Sequence, residues 1–225
     1  MDRASLKARG MAAFKANYWP AVGAGILMAL AVGGSSGGSS ASNSTQQAQD
    51  QMSNMDPGQA AMVVGAVLAI VAVVLIFASV YTIFVGGPLE IGAIAFFKDN
   101  LDAPAPFGTV LAGFKENYMK NVGTMFLRQV YLFLWGLLFF FPLLIKMYSY
   151  YAVPYIRREH PEMSANEVIT ASRQLMDGHK WELFVLDLSF LGWAILSALT
   201  LGILGVFYVN PYVFSTRAAF YDSIK

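Results

Sequence analysis

The sequence predicts an all-α fold, a polytopic membrane helical bundle of six transmembrane helices laid out as three hairpin repeats. Three observations predict it. Of 225 residues, 56% are hydrophobic and 13% charged, against about 25% charged in soluble domains, so a water-soluble fold would have nowhere to place its apolar surface. The apolar run from Ala60 to Val85 is long enough to cross a hydrocarbon core of about 30 Å at about 1.5 Å per residue. Short segments that place a lysine just ahead of an apolar run recur three times.

At the start of the chain, Arg3, Lys7 and Arg9 precede an apolar stretch from Ala21 to Val32. The order of basic, apolar and small residues is that of a signal peptide. The basic portion is long, however, and Ser5 to Lys15 interleaves basic and apolar residues, which reads as a retained interfacial helix leading into the first span. Residues 33–59 follow, polar, low in complexity and free of Lys and Arg, and are expected to form a flexible extracytoplasmic loop. Ala60 to Val85 is the second span.

Beyond it, Val122 to Ile145 and Leu183 to Val209 can each be taken as one long span, which gives four spans in all. With the N-terminus inside, that alternative puts Lys146 to Lys180 outside, although this segment holds Arg157, Arg158, Arg173 and Lys180, against the excess of Lys and Arg expected in cytoplasmic segments. Internal comparison gives another answer. Ala13-Phe-Lys-Ala-Asn-Tyr-Trp19, Gly113-Phe-Lys-Glu-Asn-Tyr-Met119 and Gly178-His-Lys-Trp-Glu-Leu-Phe184 align, and Gly87-Pro-Leu-Glu-Ile91, Val153-Pro-Tyr-Ile-Arg157 and Asn210-Pro-Tyr-Val-Phe214 form a second set. Three copies of one hairpin follow, with turns at the polar loop, near Phe141-Pro142 and near Thr200 to Gly202. Residues 1–225 then form a single integral membrane domain with both termini in the cytoplasm. Lys146, near the outer end of the fourth helix, is an exception that snorkelling would accommodate. Residues 157–180 become a cytoplasmic amphipathic connector. Within it Ser164 and Glu167 have the capping-box spacing, and Val168, Ser172, Leu175 and Met176 share one helical face. Such a helix either lies on the membrane or docks a cytoplasmic partner.

Charges at membrane depth are the candidate functional residues, because burying them is costly unless they are paired or wetted. Glu90, Arg128, Asp187 and Arg217 fall at similar depth, one to two turns from the cytoplasmic surface, and their signs permit Glu90 with Arg128 and Asp187 with Arg217. They either lock the hairpins together or line a polar cavity. Pro88, Pro154 and Pro211, with Asn210 beside the last, mark candidate breaks in the return helices, where freed carbonyls can bind ions or substrates. Tyr148 to Tyr151 and Ser189, Gly192 and Ser197 suit interfacial anchoring and close helix packing.

Other chemistry is excluded. Cysteine is absent, and His160 and His179 lie outside any metal-ligand spacing, so neither a metal nor another cofactor is expected. GxSxG, HExxH, the Walker lysine loop and the dinucleotide glycine pattern are all missing, and no enzyme is expected. A net charge of +1 offers no field for nucleic acid.

Phe14-Lys-Ala-Asn-Tyr-Trp19, Tyr148-Ser-Tyr-Tyr-Ala-Val-Pro-Tyr155, Ser172-Arg-Gln-Leu-Met-Asp-Gly-His-Lys180 running into Leu188-Ser-Phe-Leu-Gly-Trp193, Asn210-Pro-Tyr212 and Ala219-Phe-Tyr221 together carry a resemblance. The chain resembles a bacterial family of small multi-pass membrane proteins known as domain of unknown function 975. It departs in the serine-rich loop and at Phe141-Pro142, where a glycine would be expected after the proline. The resemblance implies a protein of the bacterial plasma membrane and brings no activity or catalytic residues. The expected function is non-enzymatic binding of membrane lipid, a hydrophobic ligand, or a membrane or cytoplasmic protein partner, in an envelope, transport-accessory or immunity role. The alternative is a small-molecule or ion transporter or channel with a cytoplasm-facing charged cavity.

Overall fold

The computed structural model describes residues 3–31, 56–115, 117–138 and 140–225, so that most of the expected 33–59 loop lies outside the described residues. Those residues contain helices and no strand. Helix α1 (Arg3–Ala16) is followed by α2 (Tyr18–Ala31), and α3 (Pro57–Tyr81) runs through a π-helical turn at Thr82–Gly86 into α4 (Gly87–Asp99). A 3-10 turn at Phe107–Leu111 leads into the short α5 (Ala112–Lys115). Then come α6 (Tyr118–Leu138), α7 (Phe140–Ser149), α8 (Val153–Glu159), α9 (Ala165–Leu175), α10 (Lys180–Leu188) and α11 (Leu191–Leu199). A second π turn at Gly205–Val209 opens α12 (Asn210–Ile224).

Burial changes abruptly along the continuous helical stretch Pro57–Asp99, 43 residues long. In α3 no residue is buried, although the helix is apolar on every face, whereas every residue from Gly87 to Phe97 is buried. Small residues explain the second half. A methyl group on Gly92 would collide with the Val110 carbonyl oxygen, and one on Gly113 with that of Pro88, so α4 and the Phe107–Lys115 segment touch backbone to backbone. Around α4 pack α2, α6, α8 and α12, which makes it the axis of the core.

Two antiparallel pairings are clear, the first of which joins α2 to α4 rather than to α3, where the second span was expected. Helix α2 runs antiparallel to α4, with Asn17 bonded to Asn100 at one end (2.7 Å) and Ala31 against Gly86 at the other. Helices α10 and α11 reverse at Thr200 to Gly202, as the sequence predicts. Leu201 (φ 51°) and Gly202 (φ 84°) are left-handed there, and the Gly202 N–H donates to the Ser197 carbonyl at 2.8 Å, closing the helix end. Ser197 faces Gly205 across this turn, whereas Gly192 has open space beside it. Trp193 then meets Tyr208, and Phe190 meets Tyr212.

Helix α7 returns along α6, as a turn near Phe141-Pro142 requires, with the Lys146 ammonium 4.5 Å from the Trp135 ring centroid. Helix α9 accompanies α6 in the same direction: Lys120 reaches the Pro161 carbonyl (3.4 Å), the Tyr131 hydroxyl reaches Asn166 (3.1 Å), and Trp135 and Leu138 share a groove with Thr170 and Arg173. Lys146, expected near an outer helix end, lies in the electrostatic field of Arg173 and Lys180. The capping box of α9 is formed, with the Glu167 carboxylate accepting from the Ser164 N–H at 2.7 Å and the Ser164 hydroxyl accepting from the Glu167 N–H at 3.4 Å. Val168, Ile169, Ser172 and Met176 are buried, so the apolar face of the connector is occupied by α6 and α8.

By length and composition two helical stretches are able to cross a membrane, Pro57–Asp99 and Lys180–Leu199, and α2 is a shorter apolar helix. The three aligned lysine segments do not start their helices in one register: α2 and α6 begin at Tyr18 and Tyr118, but α10 begins at Lys180, three residues ahead of the aligned Leu183.

Candidate functional site: two ion pairs on one cavity

The π turn ahead of α4 delivers Glu90 to the core one turn into that helix, and α6 brings Arg128 opposite it. The guanidinium forks onto the carboxylate with donor–acceptor distances of 2.8 and 2.7 Å. Arg217 of α12 grips Asp187 of α10 in the same two-pronged way, at 2.9 and 2.8 Å. Planar two-point pairing of this kind fixes orientation as well as charge, which a lysine would not do. The Tyr148 hydroxyl adds a longer contact to Asp187 (3.4 Å), and the Tyr151 hydroxyl donates to the Arg217 carbonyl at 2.6 Å.

The first pair and the arginine of the second face a common space. A cavity of about 410 Å³ is lined by Glu90, Arg128 and Arg217, by Tyr151 and Asn210, and by apolar walls that include Met28. A second cavity of about 230 Å³ adjoins it, sharing Glu90, Arg128, Leu132 and Met147 and reaching Thr82 and Ile83 at the π turn. All four charges thus pair, and three of them, Glu90, Arg128 and Arg217, also line the cavity, whereas Asp187 stands behind Arg217 and outside the lining. The Arg128 Nε and the Ser215 hydroxyl are buried without a hydrogen-bond partner among the described residues.

Each of the three prolines stands near the start of a helix: Pro88 in α4, Pro154 in α8 and Pro211 in α12. At Pro88 and Pro211 a π turn absorbs the missing N–H and the helix continues, with Gly87 donating to the Thr82 carbonyl and Asn210 to that of Gly205. The Phe84 carbonyl, which Pro88 cannot serve, accepts from the Tyr118 hydroxyl at 2.8 Å. Only Pro154 follows a real interruption, the turn Tyr150 to Ala152. No freed carbonyl cluster forms there: Val153 donates to the Tyr150 carbonyl at 3.3 Å. Among the described residues no group of three or more His, Asp or Glu side chains is placed to hold a metal ion.

Sequence reasoning missed two arrangements. Arg157 is 1% exposed and pairs with no carboxylate among the described residues; its guanidinium donates to the Asn121 side chain (3.2 Å) and to the carbonyls of Met163 (2.7 Å) and Pro161 (2.8 Å). Elsewhere the ends of several helices meet in a charge network. Arg9 pairs with Asp222 (2.8 Å) and Asp102 (3.3 Å), while Glu159 pairs with Lys98 (2.9 Å) and Lys225 (3.3 Å) and accepts from the Tyr221 hydroxyl (2.8 Å). Burial alone would raise the Glu159 carboxyl, but the bonds from Lys98, Tyr221 and Lys225 hold it below the usual carboxylate range. Asp222 is held down likewise, burial being outweighed by Arg9 and Lys225. Burial and the bond to Glu159 push the Tyr221 phenol up.

Residues 61–225 match the family described as protein of unknown function DUF975. The chain belongs to that family. The DUF975 match covers both ion pairs and all three prolines, and leaves α1 and α2, with the Phe14 to Trp19 segment, outside it. No curated protein and no solved structure matches the chain.

Proposed function

We propose that this DUF975 protein is a non-enzymatic integral protein of the bacterial plasma membrane that holds an apolar or amphipathic small ligand in the cavity between its two ion pairs. The observation that carries the reading is the lining of that cavity: apolar walls with paired charges at fixed positions, the composition of ligand sites that orient a greasy molecule through a few polar groups. A role in the envelope, as a transport accessory or in immunity fits this binding activity.

A membrane setting accounts for α3. A 25-residue helix with exposed apolar side chains on all faces, among them Met62, Leu68, Ile76 and Phe77, has no place in water. The charge network supports a common side for four parts of the chain, since Arg9, Lys98 with Asp102, Glu159 and Asp222 with Lys225 all meet there. Between consecutive members the chain must leave and return, which favours three hairpins and both termini in the cytoplasm. The four-span alternative carries Glu159 to the far side, away from Lys98 and Lys225. We assign full crossings to the first and third hairpins. The middle one sits shallow on the cytoplasmic leaflet, because α9, with its exposed Glu167 and Arg173, runs beside α6 and cannot follow it into hydrocarbon.

Native mass spectrometry of the detergent-purified protein tests the ligand reading. Wild type should retain a small apolar or lipid-sized mass that Ala29→Trp, which fills the cavity, displaces; a ligand-free wild-type protein counts against it. The transporter reading draws on the adjoining cavity, which extends the charged space toward the α3 junction. Proteoliposome flux abolished by Asp187→Asn would favour it, and flux unchanged by Asp187→Asn and Arg217→Gln would end it.

A further inference from the structure

A groove outside the central cavity carries two cations that the ion pairs do not use. Lys146 of α7 and Arg173 of α9 line it together, with Thr170 beside Arg173 and Trp135 and Leu138 of α6 opposite. Neither cation has a carboxylate partner among the described residues, whereas Arg9, Arg128, Arg217, Lys98 and Lys225 all do. Lys146 is held in place by its contact with the Trp135 ring at 4.5 Å, and the bond between Tyr131 and Asn166 (3.1 Å) ties α6 to α9 along the same groove. Two mutually repelling cations without a paired carboxylate, one of them held on a tryptophan ring, share the groove, and an anion placed between them would relieve the repulsion.

The surroundings select the kind of anion. Leu134, Leu137, Leu138 and Phe141 at the tip of the hairpin are exposed, while Thr170 and Arg173 are polar and exposed one helix away. Across the groove a cationic, hydroxyl-bearing wall therefore faces an apolar one, with a tryptophan between, the combination found at a bilayer interface. We infer that this groove is a binding site for a phosphate-bearing anion, the headgroup of an anionic phospholipid of the cytoplasmic leaflet. Lys146 and Arg173 meet the phosphate, Thr170 donates to it, and the acyl chains lie along Leu134 and Leu138. The inference rests on the shallow placement of the middle hairpin.

The test uses the full chain in a neutral detergent, with lipid retention read by native mass spectrometry. Phosphatidylglycerol should remain bound and phosphatidylcholine should not. Lys146→Gln with Arg173→Gln should lower phosphatidylglycerol occupancy by about tenfold or more, while the paired variant Lys146→Arg with Arg173→Lys retains it. Circular dichroism and size-exclusion profiles matching wild type establish folding, and Arg173→Glu, at an exposed position, serves if the double variant does not fold. Millimolar inorganic phosphate distinguishes the sources: no displacement of phosphatidylglycerol assigns the site to lipid, and full displacement with the same dependence on Lys146 and Arg173 assigns it to free phosphate. Equal retention by wild type and the folded variants, or equal retention of phosphatidylcholine, overturns the inference. Cysteine labelling reports on the hairpin's placement by itself, so a failed lipid site is distinguishable from a failed topology.

Discussion

Neutralising Glu90 leaves Arg128 buried without its counter-charge, and the side chains involved are only 11% and 16% exposed. Glu90→Gln should therefore cost about 3 kcal/mol, read as a fall in unfolding midpoint in detergent. Pairing it with Arg128→Met should recover most of that loss, because the double replacement leaves no orphan charge. Asp187→Asn acts in the same direction with a smaller effect, since Arg217 keeps about a third of its side chain in contact with solvent. Arg157→Met should cost about 2 kcal/mol, by stranding the Met163 carbonyl, that of Pro161 keeping Lys120 as a donor. The ion pairs were legible because opposite charges at one depth have few ways to be stable. Arg157 was not legible, because its acceptors are backbone carbonyls placed by a turn whose path no side-chain pattern announces.

Helix starts and stops were written locally and were correspondingly easy to find. The Ser164 and Glu167 spacing and the Leu201-Gly202 reversal each depend on residues a few positions apart. Ser164→Ala should cost about 1 kcal/mol, by loss of the cap alone, checked by chemical unfolding with Glu167→Ala as companion. Contacts between elements were a different matter. Nothing in Gly92 or Gly113 distinguishes them in sequence from Gly65 or Gly123, which have open space around them. Gly92→Ala should nevertheless abolish folded yield by forcing α4 off the Val110 backbone, whereas Gly65→Ala should be close to neutral, compared by fluorescence-detected size exclusion. The companionship of α6 and α9 was hidden for the same reason. The apolar stripe of α9 was visible, but its destination depends on which helix reaches it first.

At the level of the whole chain, single cysteines read the arrangement. Labelling from outside is expected at Ser44→Cys and absent at Ser164→Cys and Ser223→Cys. Absence at Leu138→Cys as well would support the shallow middle hairpin, and outside labelling there would restore six full crossings. The network of helix ends adds a dependence on acidity. Because Glu159 and Asp222 have depressed folded-state pKa values, their stabilisation is complete above the ordinary carboxylate value of about 4 and is lost as pH falls through the lower folded-state values. Thermal midpoints should drop below about pH 4 in wild type and drop less in Glu159→Gln. The all-helical class and the long apolar stretches were legible in the sequence; the proposed direction of the chain rests on its cations, and the proposed depth of each hairpin on what packs beside it. The union of α1 with α12 reaches furthest. Gly10 lies against Thr216, and Met11 meets Tyr208 at a separation of 197 positions. During synthesis α1 must therefore wait, its buried face unmatched, until nearly two hundred further residues have been translated. The closing step of assembly is a long-range one, slow by its topology and open to capture by chaperone or protease in the interval.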